Sequence, residues 1–241
     1  GLLWRSIIQE LISDRVPART AVSAHVHSWL MKYIPGQIGA VSSKLLWGQR
    51  FGIQNRTIIS SFVYENLFHL VASIVVSLPV VLLLADEVPL SLGSAVAVLI
   101  ALQVGLVVLS TIGAGLIRRR GTDLAVLQPM SMLRFELSYI VPRLLNALGF
   151  VVLANSLGLI DSGADVVSFG STYVLAGILG ILAFAVPSGL GVREAVIVAT
   201  LGSTIGRDQA LVLAGTTRLY ATVADGILIM VYLGIRSPTP E

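Results

Sequence analysis

The chain has 241 residues, 55% of them hydrophobic and only 12% charged, with a formal net charge of +3. Its mean hydropathy is +0.89, and a soluble domain carries about a quarter charged residues, so a soluble globular fold is excluded. Cysteine is absent, which removes disulfides and thiolate metal sites without fixing a compartment.

Residues 57–117 and 144–192 contain no Lys or Arg. Both runs exceed the roughly 18 apolar residues of a membrane-spanning helix. The alternating pattern of an outer-membrane strand is missing, so the spans are predicted to be helical. The sequence opens on Gly1 without a signal peptide, and is expected to be a fragment or processed product lacking amino-terminal spans.

In chain order, residues 1–20 mix apolar positions with Arg5, Glu10, Asp14, Arg15 and Arg19, the pattern of an interfacial amphipathic helix. Residues 21–56 read as two short helices broken at Pro35-Gly36. Residues 57–117 hold two transmembrane helices joined at Asp86-Glu87-Val88-Pro89. The arginines at 118–120 end the second, and 118–138 reads as a cytoplasmic or interfacial segment. A further span covers 139–160, and 161–171 reads as an external loop with only acidic charge. Residues 172–206 form a second broken helix, cut at Pro187-Ser188-Gly189. A final span covers 207–236 and a polar tail 237–241. The positive-inside bias places 1–20, 44–56 and 118–143 in the cytoplasm and the acidic turns at 86–87 and 161–165 outside.

Pro35-Gly36-Gln37-Ile38-Gly39 and Pro187-Ser188-Gly189-Leu190-Gly191 share the pattern Pro-small-x-apolar-Gly. Each is followed about 30 residues on by an ionisable residue in a full span: Glu65 after the first, Arg218 after the second. The order short helix, break, short helix, full span therefore occurs twice. An odd number of crossings separates the copies, which inverts them. The predicted fold is an all-α polytopic membrane protein with two inverted repeats, each a re-entrant broken helix followed by a full transmembrane helix, the plan of many transporters. Two fully crossing kinked helices are the alternative. Proline removes a backbone donor and glycine permits reversal, and the freed backbone groups must line protein or a wet cavity.

The ionisable residues point to the site. Glu65 lies roughly 12 Å and Arg218 roughly 14 Å into their spans at 1.5 Å per residue, near the midplane, where charge needs a partner or water. Asp225 follows Arg218 by one heptad. Arg193 and Glu194 follow the second break, where a helix amino end favours anions. Guanidinium forks at Arg193 and Arg218 suit phosphate oxygens, with Glu65 and Asp225 either balancing them or forming structural ion pairs, such as Glu65 with Arg218. Lys32 and Lys44, flanking the first break, are weaker candidates that could snorkel to the interface. The expected substrate-binding set is Lys32, Pro35, Gly36, Gly39, Glu65, Pro187, Gly189, Gly191, Arg193, Glu194, Arg218 and Asp225. His25, His27 and His69 complete no metal set, and no nucleophile triad or nucleotide signature is present. No catalysis, metal or cofactor is expected, and no nucleic-acid partner. Gly113 and Gly115 suit packing within one chain as well as between copies, so an oligomer is left open.

Lys32-Tyr33-Ile34-Pro35-Gly36-Gln37-Ile38-Gly39 resembles the Tyr-Leu-Pro-Gly-Lys-x-Gly stretch of the lysylphosphatidylglycerol synthase transmembrane, or flippase-like, family. Val186-Pro187-Ser188-Gly189-Leu190-Gly191-Val192-Arg193-Glu194 resembles that family's Pro-Gly-Gly-Leu-Gly-x-Arg-Glu signature, the more specific of the two. Glu65 and Arg218 fall where members carry an acidic residue and an arginine. Gln37 departs from a common lysine and Ser188 from a glycine. The resemblance implies a multi-pass protein of the prokaryotic inner membrane that moves an anionic, aminoacylated or isoprenoid-linked lipid between leaflets. It also implies a synthase or glycosyltransferase partner that is separate from or missing in this chain. A lipid-binding membrane domain of a lipid-modifying enzyme, and an ion- or proton-coupled solute transporter, are the alternatives.

Overall fold

A computed structural model describes residues 1–34, 38–84, 105, 126–183, 186 and 189–235, and all regular structure among them is helical. The helices are α1 (Leu2–Ile12), α2 (Ala18–Leu30, continued by a 3-10 turn at Met31–Tyr33), α3 (Ile38–Arg50), α4 (Asn55–Leu84), α5 (Pro129–Ser156), α6 (Gly163–Leu182), α7 (Val192–Ile205) and α8 (Arg207–Ile235). Among the described residues, four helices are long and apolar enough to cross a bilayer: α4, α5, α6 and α8. The expected span ending near Ile117 lies outside the described residues, as does the tail after Ile235.

The chain divides into two units. The first comprises Gly1–Phe68, Val104–Phe135 and Ala224–Glu241. Its core starts from the stripe Trp4, Ile7, Ile8 and Leu11, spaced i, i+3, i+4, i+7 as a helix face requires. Trp4 and Ile8 pack with Val16, Ala21, Ala24 and Ile58, and the Trp4 indole donates to Ser61 Oγ at 3.2 Å. The segment expected to be an interfacial helix thus gives its apolar face to protein. It ends early, because Ser13 turns left-handed at φ 54 and α2 begins after Pro17.

Helices α2 and α3 form a hairpin. Ser28 Oγ donates to the Ala40 carbonyl at 2.9 Å, and His27 Nδ1 lies 2.5 Å from Ser43 Oγ. Gly39, in the first turn of α3, packs close to the end of α2: a Cβ there would stand 2.6 Å from Ile34 Cδ1 and 3.0 Å from Met31 Cβ. Helices α2 and α3 have 13 residues each, about 20 Å at 1.5 Å per residue, against a bilayer core of about 30 Å.

The second unit comprises His69–Gln103 and Glu136–Val223. Its core joins Phe150, Val151 and Ala154 of α5, Phe169 and Ala176 of α6, Ile197 and Leu201 of α7, and Leu213 and Ala214 of α8. Phe150 stacks on Tyr173 at 4.7 Å between centroids. Helices α6 and α7 form the second hairpin, closed where Gly189, at φ +65, meets Gly180. A Cβ on Gly189 would fall 2.7 Å from Gly180 Cα.

The arms of this hairpin are unequal. α7 has 14 residues, but α6 has 20, about 30 Å by the same rise and so of full bilayer length. The acidic stretch expected to be a loop to Ser171 is mostly the first turns of α6. Ser162 starts it through a capping box, in which its Oγ accepts from Asp165 N at 3.2 Å and Asp165 Oδ2 accepts from Ser162 N at 2.9 Å. Likewise α5 begins at Pro129, ten residues before the span that hydropathy marks, because proline is tolerated in a helix's first turn.

Candidate functional site: three clusters of buried charge

The ionisable residues singled out in the sequence resolve into three groups. In the first, Lys44 of α3 is 1% exposed and Glu65 of α4 is 4% exposed. The Lys44 ammonium donates to Glu65 Oε2, and His25 Nδ1 lies 3.2 Å from Oε1 of the same carboxylate. The ammonium also sits 4.4 Å from the Trp4 ring centroid, over a face that attracts cations. Lys44 therefore does not snorkel to an interface. Glu65 is thus compensated within its own unit, by Lys44 and His25.

The second group is Lys32, Tyr33 and Asp225. Lys32 Nζ donates to Asp225 Oδ1 at 2.8 Å, and the Tyr33 hydroxyl donates to Oδ2 at 2.6 Å. Asp225 is thus engaged by Lys32 and Tyr33.

The third group lies in the second unit. Arg218 Nε is 2.8 Å from Glu194 Oε1. Arg193 follows the left-handed turn at Gly191, φ 80, that starts α7. Its side chain crosses Gly180, where a Cβ would approach Arg193 Cγ to 2.9 Å. Tyr173 lies within electrostatic reach of Arg143, Arg193, Arg218 and Tyr220. Arg193 Nε, Arg218 Nη2, Arg143 Nε and Glu194 Oε2 are buried and have no hydrogen-bond partner among the described residues. Orphaned buried guanidinium N–H groups are costly and mark a place where acceptors are wanted.

The expected site set is thus divided. Arg193, Glu194 and Arg218 come together, Glu65 and Asp225 go to separate lysines, Gly39 permits close helix packing, and Gly189 and Gly191 take positive-φ turns. Pro35, Gly36 and Pro187 lie outside the described residues. Sequence reasoning missed His25, Arg143, Tyr173 and Tyr220. Arg143 is visible as the last cation before the long uncharged run 144–192, a position that marks a span boundary as readily as a site.

The two hairpins carry the same device with signs exchanged. Lys44, just after the first turn, pairs with Glu65 on the next long helix; Glu194, just after the second, pairs with Arg218 on the next long helix. Four long apolar helices among the described residues, and an ion pair buried in protein between Lys44 and Glu65, define a polytopic integral membrane protein. The chain belongs to the lysylphosphatidylglycerol synthase TM region family, whose model matches residues 1–228. Comparison with curated proteins and with solved structures gives no match.

Proposed function

We propose that this chain is a flippase-like transporter that moves an anionic or aminoacylated phospholipid, or an isoprenoid-linked lipid, between leaflets of the prokaryotic inner membrane, without chemistry of its own. The carrying observation is the group Arg143, Arg193 and Arg218, three cations within electrostatic reach of Tyr173, of which Arg218 pairs with Glu194. Guanidinium groups present planar forks that match phosphate oxygens, and three of their buried nitrogens have no hydrogen-bond partner among the described residues. The two hairpins with sign-exchanged ion pairs support the reading of two repeats, a common transporter plan.

The test is reconstitution in vesicles with a fluorescent phosphatidylglycerol and a membrane-impermeant quencher added outside. Loss of one charge-assisted hydrogen bond of about 1.5–3 kcal/mol slows exchange roughly tenfold or more in Arg193→Ala and Arg218→Ala. Unchanged exchange in both variants rejects the site. A second reading is favoured by the family's description as the membrane region of a synthase: a domain that holds a lipid for a lipid-modifying enzyme. Retained lipid with no leaflet redistribution would select it.

A further inference from the structure

Of the carboxylates in the three charge clusters, Glu194 alone keeps an oxygen out of use. Lys44 and His25 take up the two oxygens of Glu65, and Lys32 and Tyr33 those of Asp225. Glu194 reaches Arg218 through one contact, Oε1 to Nε at 2.8 Å. Its Oε2 is buried without a hydrogen-bond partner among the described residues, and so is Nη2 of the same arginine. Arginine and carboxylate frequently meet fork to fork, through two parallel bonds. Here one half of the fork is made and both atoms of the other half are desolvated and idle, a costly state.

Glu194 also stands where an incoming anion is drawn. It lies in the first turn of α7, behind Gly191, which offers no side-chain cap, so the amide end of that helix favours negative charge. Arg193 on the same turn, Arg143 on α5 and Arg218 on α8 gather around Tyr173 of α6, with Tyr220 in reach as well. The side chains of Glu194 and Arg218 are each 27% exposed, so a carboxylate that swings aside has solvent to enter and is not stranded as a bare buried charge.

We infer that Glu194 is a resident counter-ion in the anion seat: its carboxylate holds the Arg218 fork until a phosphate anion displaces it, and so sets the threshold at which anions enter. The inference rests on the phosphate reading of the arginine group. A dilute aqueous anion competes poorly with a tethered carboxylate, whose effective concentration is on the order of millimolar, whereas the bilayer itself supplies lipid phosphate in bulk.

The experiment is equilibrium binding of tracer fluorescent phosphatidylglycerol to the full chain in uncharged micelles, read by anisotropy. Glu194→Gln keeps the size and an acceptor oxygen but loses the charge, and should bind the lipid about fivefold more tightly, the worth of one partly exposed ion pair. A residue that only holds α7 against α8 moves affinity the other way. Glu194→Asp, drawn back by one methylene, gives the same sign and serves if the glutamine variant does not fold. Inorganic phosphate separates the two sources of the anion: tracer lipid that persists on the wild type at millimolar phosphate assigns the seat to lipid, and displacement assigns it to free phosphate and overturns that assignment. Equal or weaker binding in folded Glu194→Gln overturns the counter-ion role, while weakened binding in Arg218→Ala leaves the phosphate reading standing. Affinity indifferent to Arg218→Ala overturns both.

Discussion

Replacing Lys44 by methionine is the most demanding test of how the first unit is held. The substitution keeps the length and apolar stem but removes the ammonium, leaving the Glu65 carboxylate 4% exposed. Removing one partner of a buried pair costs about 3–5 kcal/mol, because the remaining charge has lost both water and its counter-ion. His25, 3.2 Å away, compensates part of that loss and places Lys44→Met at the lower end. Glu65→Gln leaves the Lys44 ammonium with the Trp4 face as its nearest compensation, worth up to about 2 kcal/mol when desolvated, and falls in the same range. For a chain of this size each kcal/mol lowers the midpoint by about 2–4 °C, so either variant should melt roughly 6–20 °C early. The double variant Lys44→Met/Glu65→Leu leaves no bare charge and should be less damaged than either single one. Unfolding of the purified chain in mixed micelles, followed by tryptophan fluorescence, reads all three. Single variants costing under about 1 kcal/mol, or a double variant costing the sum of the two, would refute the reasoning.

The second hairpin gives a matched comparison at its two closest glycines. Gly189→Ala places a methyl in a left-handed backbone and against the Gly180 backbone at 2.7 Å, which should cost at least about 1–3 kcal/mol in the same unfolding assay. In Gly180→Ala the methyl meets the movable Arg193 side chain at 2.9 Å; with that arginine removed first, by Arg193→Ala, most of the cost should disappear. Ser162→Ala removes the α6 cap and should cost about 1 kcal/mol, visible as faster amide exchange confined to the first turn of α6; global destabilisation instead would contradict the local role given to the capping box.

How much of this is legible depends on the physics of each signal. Hydropathy and charge distribution disclose the membrane class and the two hairpins, because a stretch as long and free of cations as 144–192 suits lipid far better than water. The glycines of the turns are legible too, since only glycine readily accepts the left-handed backbone of Gly189 and Gly191. The start of α6 is readable but easily overlooked: Ser162-Gly163-Ala164-Asp165 is a capping-box pattern, yet its acidic charge suggests a loop. Partners of charges are the least legible. Depth along a helix identifies Glu65, Arg218 and Asp225 as residues needing compensation, but rotation about the helix axis and the path of a neighbouring arm decide which cation arrives. Lys44 belongs to Glu65 because α3 folds back beside α4, which no spacing rule encodes. Arg143 joins the arginine group because α5 presents it to the same side as Phe150, which stacks on Tyr173.

The sign-exchanged ion pairs also bear on how such a chain is made. Lys44 and Glu65 are 65 − 44 = 21 residues apart, and Glu194 and Arg218 are 218 − 194 = 24 apart. Each pair therefore leaves the ribosome within seconds of its own partner, at about 5–20 residues per second. A lone charge offered to the insertion machinery carries a penalty of about 2.5–3.5 kcal/mol at mid-helix, and here the neutralising residue follows almost at once. Each segment can enter the bilayer as an electrically closed parcel, with no need to wait for the other half of the protein to be synthesised.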